Sequence, residues 1–276
     1  RFRRELDDKI ADGSINQETE WSIAERLEEI RAEHPEYRGL SFATIAGYAG
    51  NGAIVHYEAT AEDHAQLANR SFLLLDSGAH YVSGTTDITR TIPLGAITDE
   101  EKKAYTLVLK GMIQLSMAHY PSGTTGLALD FAARQAMWRE GYDFGHGTGH
   151  GVGSHLCVHE GPHQIRKDRR AATEVPFRVG MTVSNEPGIY VANKFGVRLE
   201  NVLVAEPAQQ TTFGEFLKFE TLTLCPFDVS PIIVEMLDTS EREWINDYHA
   251  MVYAELLPLL SDEKDKEWLI KATTRL

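Results

Sequence analysis

The sequence predicts an α+β domain in which helices and mostly antiparallel strands are segregated along the chain. Three observations carry this: an amphipathic helical pattern over residues 16–33, a block of short β-branched and aromatic runs broken by glycine over 40–92, and a return to that texture over 141–205 after two helices. In the first helix Trp21, Ala24, Leu27 and Ile30 recur at three-residue steps between Glu and Arg, and His34-Pro35 stops the pattern. Strands are expected over 42–46, 53–57, 72–75 and 85–92. Thr98 with Glu101 forms a capping box for a long helix whose buried face carries Tyr105, Leu109, Met112 and Leu115 and which is expected to end near Tyr120-Pro121. A second helix follows Gly126, and strands return over 182–184 and 197–205. Two tail helices are expected over 241–257 and 262–270. Their apolar residues Trp244, Ile245, Val252, Leu256, Trp268 and Leu269 suit docking on the body or on another subunit.

Composition narrows the class. A chain of 276 residues, 42% hydrophobic and 25% charged, is an ordinary globular protein of one large domain or two small ones. Its net charge of −14 repels phosphate backbones and anionic lipid, so nucleic acid and membrane surfaces are not expected partners. The run Phe72-Leu73-Leu74-Leu75 is far shorter than the roughly 18–20 residues of a membrane span. Two cysteines, Cys157 and Cys225, cannot staple a chain of this length, which fits a reducing, cytoplasmic setting. The opening Arg1-Phe2-Arg3-Arg4 has neither an initiator Met nor a signal-peptide core, as expected for an excised or processed part of a longer polypeptide.

The chemistry-bearing residues are carboxylates and histidines in apolar or glycine-rich surroundings, where a charge needs a partner or a metal. Asp76 closes the run 72–75, and Asp87 sits among threonines in Gly84-Thr85-Thr86-Asp87-Ile88-Thr89-Arg90-Thr91, so two antiparallel neighbours would bring both together. His146, His150, His155, His159 and His163 crowd a glycine-rich stretch that holds five of the chain's 11 histidines. Glu186 and Glu200 flank expected strands whose hairpin would let them converge. Taken singly, Asp76 and Asp87 serve as turn or strand-end caps as readily as ligands, and a His-rich loop is often only solvated. The glycines match neither GxGxxG nor a P-loop, and no Gly-x-Ser-x-Gly elbow surrounds Ser154. Cys157, between Leu156 and Val158, reads as a small core residue. Together, two Asp, one His and two Glu are the inventory of a two-metal hydrolytic site, with four negative charges that two divalent ions balance. Hard oxygen donors with one imidazole suit Mn²⁺, Co²⁺, Fe²⁺ or Zn²⁺.

These residues resemble the pita-bread metallopeptidases, and among them the Xaa-Pro aminopeptidases (aminopeptidase P). Six segments follow that family's motifs in order: Leu75-Asp76-Ser77-Gly78-Ala79-His80-Tyr81, Gly84 to Thr91, His146-Gly147-Thr148-Gly149-His150-Gly151-Val152-Gly153, Val158-His159-Glu160-Gly161-Pro162, Glu186-Pro187-Gly188 and Gly196-Val197-Arg198-Leu199-Glu200-Asn201. The resemblance implies a pita-bread fold, antiparallel sheets with helices packed on one side, and a helical C-terminal extension. On this reading residues 1–39 are a helical lead-in, the remnant of a longer chain. Residues 40–226 are the catalytic domain, and 227–276 are similar to the extra C-terminal segment of the longer, eukaryotic-type aminopeptidases P.

The resemblance further implies metal ligands Asp76, Asp87, His150, Glu186 and Glu200 for two divalent ions, Mn²⁺ first, with Co²⁺ or Zn²⁺ as alternatives. It implies that His56, His146, His159 and Arg198 line the substrate site and that Glu186 shuttles a proton. Expected substrates are peptides with proline in second position, and the expected assembly is a homodimer through the C-terminal region. Two readings compete: a prolidase-type dipeptidase, and a non-catalytic peptide- or protein-binding module of the same fold. Methionine aminopeptidases place the two glutamates farther apart and have a shorter 150–159 segment. The chain departs from the family in having Thr221 where proline is usual, and in the reduced region ahead of the catalytic domain.

Overall fold

The computed structural model describes residues 1–276. Six α-helices, α1 (Phe2–Asp12), α2 (Glu20–Ala32), α3 (Asp99–Ser116), α4 (Gly126–Arg139), α5 (Thr239–Leu256) and α6 (Glu263–Ala272), accompany small sheets whose strand pairs are antiparallel. One sheet places Phe72–Ser77, buried along its whole length, between Ile45–Tyr48 and Ile88–Pro93. A second runs Thr182–Asn185, Asn201–Thr211, Gly214–Thr221 and His119–Pro121. Between them stands the hairpin Gly188–Val191/Phe195–Arg198. This is the α+β class read from the sequence.

The cores explain the element order. Leu107, Leu109, Met112 and Ile113 of α3 pack with Phe195 and Val197 of the hairpin and with Ile245, Val252 and Leu269 of the tail helices in one buried cluster. The tail thus spends its main apolar face on the body. A second cluster joins Phe2 and Leu6 of α1 and Ile23 of α2 to Ala46, Leu73, Leu75 and Ile92 of the first sheet. The expected capping box is present: Thr98 Oγ1 accepts from Glu101 N at 3.2 Å, and Glu101 Oε2 accepts from Thr98 N at 2.7 Å.

Several local expectations need correction. Helix α3 stops at Ser116, short of Tyr120, because His119–Pro121 leaves to pair with Phe216–Lys218 at the sheet edge, where a proline without an N–H is tolerated. The expected strand over 53–57 is instead the end of a 3₁₀ turn, Ala49–Ala53, and an irregular segment. This turn is pressed against the hairpin so closely that a Cβ on Gly196 would lie 1.7 Å from the Gly52 carbonyl oxygen. Gly196→Ala is therefore expected to destabilise the fold by at least about 2 kcal/mol in urea unfolding, since backbone has to move. Cys157 is exposed, as is its neighbour Leu156, because their segment lies outside the core.

Candidate metal centre

Strand pairing delivers the first two carboxylates. Ser77 lies opposite Ile88, so Asp76 and Asp87, one residue to either side of that pair, reach the same end of the sheet. The second two sit at the foot of the hairpin, where Gly188 pairs with Arg198 and Asn185 with Asn201, and Glu186 and Glu200 occupy the steps between. His150 arrives on the short strand Gly149–His150, which lies so close to the neighbouring strand that a Cβ on Gly149 would come within 1.8 Å of the Ser184 carbonyl oxygen. The His150 backbone N–H donates to Ser184 Oγ at 2.9 Å, and Ser184 Oγ donates to Glu186 Oε1 at 3.0 Å, tying the imidazole to the carboxylate.

These five side chains face one cavity of about 570 Å³, which His56, His146, His159 and Arg198 also line. All nine residues singled out in the sequence therefore meet at one place. One potential ligand atom from each of Asp87, His150 and Glu200 lies within 4.8 Å of the others. His150 Nε2 is 3.3 Å from Asp87 Oδ2 and 3.3 Å from Glu186 Oε1, while its Nδ1 donates to the Gly151 carbonyl at 3.0 Å, which leaves Nε2 aimed into the cluster. The His150 and His159 rings stand edge-on with centroids 4.2 Å apart.

The electrostatics are those of an unbalanced site. Burial raises the pKa of Asp87, and the nearby Asp76 adds to the rise against the His150 hydrogen bond. Burial pushes Glu186 up to about 7 and Glu200 well above the usual carboxylate range, where Asp87 repels it further. On His150 burial works against charge, yet the Asp87 hydrogen bond and Glu186 raise its pKa to about 9. Arg198 donates from Nη2 to Asp76 Oδ2 at 2.7 Å, and Asp76 Oδ1 is buried without a partner. An orphaned carboxylate oxygen beside three carboxylates whose ionisation is resisted is the donor set of a cation site: the residues fit divalent metal ions with oxygen preference.

Three further residues hold the site together and were not picked out from sequence. Thr89 Oγ1 donates to Glu200 Oε2 at 2.7 Å, and Thr89 lies inside the threonine-rich motif that contains Asp87. Tyr190 Oη accepts from Arg198 Nη1 at 2.8 Å and is 2.8 Å from His146 Nε2. Because His146 Nδ1 is engaged with the Gly147 carbonyl at 2.7 Å, Tyr190 supplies the proton of that contact, and burial lowers the His146 pKa to about 4. His146 is thus a fixed neutral wall. Ser184, described above, is the third, and its only signal is its place in a strand.

An α+β fold of antiparallel sheets that gathers four carboxylates and an imidazole at one cavity is the setting of a metal site, and the chain belongs to metallopeptidase family M24. That family's model matches residues 2–207, and the model of the C-terminal region of peptidase M24 matches residues 215–276. Among particular relatives, the chain is 44% identical to the probable Xaa-Pro aminopeptidase P of Laccaria bicolor over 98% of this chain and 42% of that protein. It is 45% identical to aminopeptidase P1 of Arabidopsis thaliana, over 92% of this chain and 40% of that one. The X-prolyl aminopeptidase of Caenorhabditis elegans, described as a cytosolic enzyme with a di-nuclear active site, superposes with a TM-score of 0.92 at 35% identity, covering 100% of this chain and 45% of that chain. The prolidase of Pyrococcus furiosus gives a TM-score of 0.60 at 29% identity over 73% of this chain and 58% of that one. This chain spans about two-fifths of the length of these curated relatives. No helix is long and apolar enough to cross a membrane.

Proposed function

We propose that this chain is the catalytic part of a metal-dependent aminopeptidase that hydrolyses the bond between an N-terminal residue and a following proline. The observation that carries the reading is the convergence of three buried carboxylates, the partly buried Glu186 and His150 on one cavity, in a charge balance that calls for cations. The two relatives named above, one a probable Xaa-Pro aminopeptidase P and the other an aminopeptidase P1, favour the proline-directed branch, and the higher TM-score to the X-prolyl aminopeptidase than to the prolidase points the same way.

Asp76, Asp87, His150, Glu186 and Glu200 would hold two divalent ions, Mn²⁺ first and Co²⁺ or Zn²⁺ as alternatives. When bound, such ions supply Lewis-acid charge and a water acidic enough to ionise near neutral pH. The chain's own residues do the rest. Glu186 accepts a proton at its carboxylate from the attacking water and returns it to the leaving proline nitrogen. His159, whose pKa burial lowers, presents a neutral N–H donor to the developing oxyanion. His146, fixed by Tyr190 and Gly147, and His56, on the cavity wall, position the peptide and the proline ring. Arg198 orients Asp76 through the Nη2 contact and keeps Tyr190 in place.

In this reading residues 40–226 carry catalysis, 1–39 brace the substrate side and 227–276 brace the hairpin. A cytoplasmic setting accords with two free thiols. A homodimer through the C-terminal region is supported by Leu259 and Ile270, which remain exposed on the tail; light scattering at micromolar concentration is expected to give the dimer mass, and a monomer counts against it. The activity is tested by product analysis of a short Xaa-Pro-Xaa peptide with chelator-stripped protein before and after Mn²⁺ addition. Release of only the first residue, dependent on metal, is expected. Cleavage confined to dipeptides would instead support the prolidase-type reading.

A further inference from the structure

Outside the metal cluster, the buried carboxylate with the most hydrogen-bond contacts is Glu20, the first residue of α2, which is 0% exposed. Every partner of its carboxylate comes from residues 48–65. Oε1 accepts from the Tyr48 backbone N–H at 2.6 Å, and Oε2 accepts from Tyr57 Oη at 2.7 Å and from the Ala65 backbone N–H at 2.7 Å. Asn51 Nδ2 lies 3.1 Å from both oxygens and also donates to Tyr57 Oη at 3.0 Å. All these donors are neutral, so the charge is met by dipoles converging from both ends of one segment. That segment carries His56 beside Tyr57, and Val55, His56 and Tyr57 all line the substrate cavity. On its other side the segment meets the hairpin, where Gly52 abuts Gly196 and Arg198 Nη2 reaches the Val55 carbonyl at 3.5 Å.

We propose that Glu20 is a positioning residue: its buried carboxylate pins the 48–65 segment so that His56 stands at a fixed place on the substrate-facing wall. The inference rests on the aminopeptidase reading for its consequence in catalysis, but the clamp itself is independent of substrate. A carboxylate is required because all contacts at Glu20 are donors. The isosteric amide presents an NH₂ where an acceptor is needed, leaving at least one buried N–H or O–H unpaired. Loosening follows in the wall that binds the peptide, not in the ligand cluster, which is built on other strands. The effect therefore falls on substrate affinity.

The test compares Glu20→Gln, Tyr57→Phe, which removes a single donor and keeps the charge, and His56→Ala, alone and combined with Glu20→Gln. In the metal-loaded protein with an Xaa-Pro-Xaa peptide, Glu20→Gln is expected to raise KM about tenfold with kcat changed by less than about threefold, and Tyr57→Phe to shift KM the same way by less. Bound metal per chain stays at the wild-type value, and amide hydrogen exchange over 51–57 accelerates. In the His56→Ala background, Glu20→Gln adds little to KM, because the two changes act through one contact. An unchanged KM, or fully additive effects of Glu20→Gln and His56→Ala, overturns the positioning role. If the wild type cleaves no Xaa-Pro peptide, the aminopeptidase reading fails on its own, and the exchange measurement still decides the clamp: wild-type exchange over 51–57 in Glu20→Gln overturns it.

Discussion

Glu200→Gln is expected to leave the fold intact while reducing turnover of an Xaa-Pro peptide on the order of 10³-fold or more, about 4 kcal/mol of transition-state stabilisation. Glu200 is 1% exposed, accepts one hydrogen bond from Thr89 and lies within ligand distance of Asp87 and His150, so the amide keeps the shape and that bond but removes a negative donor. The same substitution acts with opposite sign on the metal-free protein. There the carboxyl, buried and repelled by Asp87, resists ionisation, and its replacement by a neutral group removes that cost at neutral pH. Melting of chelator-treated protein is therefore expected a few degrees higher for the variant than for the wild type. The rise in Tm on adding Mn²⁺ is expected to be large in the wild type and small in the variant. A variant that melts lower without metal, yet retains the full metal response, would show that Glu200 is a structural acceptor and not a ligand.

The second large effect is the pH dependence of stability without metal. Glu186 has an ordinary pKa of 4.5 and a folded value of about 7, so the folded state binds its proton more tightly. The stability it contributes is complete below 4.5 and is lost as pH rises through about 7; His150, raised from 6.5 to about 9, extends the loss toward alkaline pH. Measured in denaturant with chelator present, the gap between Glu186→Gln and wild type should be near zero at pH 4.5. It should grow in favour of the variant to about 3 kcal/mol above pH 7. Excess Mn²⁺ reverses the wild-type trend, because the ligands must be deprotonated to bind and affinity rises with pH. A gap that does not change with pH would mean that the Glu186 carboxyl is no more resistant to ionisation than one in water.

Much of this arrangement was legible in the sequence because its geometry follows from local rules. Asp76 and Asp87 meet through a short antiparallel connection, and Glu186 and Glu200 meet at the foot of a hairpin whose glycines and β-branched residues mark it out. The long helix announced its start through Thr98 and Glu101. What stayed hidden depends on contacts remote in the chain. Helix α1 has only Phe2, Leu6 and Ile10 as an apolar stripe among charged residues, too thin a signal until the sheet that covers it is known. Glu20 looks like any acidic residue in a first helical turn, and only folding supplies its donors from 48–65. The segment 53–57 has strand composition, but its approach to Gly196 bends it away from any ladder. Cys157 is flanked by apolar residues, and nothing local shows that this stretch lies outside the core.

The most direct test of the account is a count of metal ions bound per chain by native mass spectrometry, after loading chelator-stripped protein with Mn²⁺ and desalting. The carboxylate cluster with His150 predicts two ions in the wild type and fewer in Glu200→Gln, with the same folded charge-state distribution for both. A wild-type protein that holds none, or a variant that holds as many as the wild type, would contradict it.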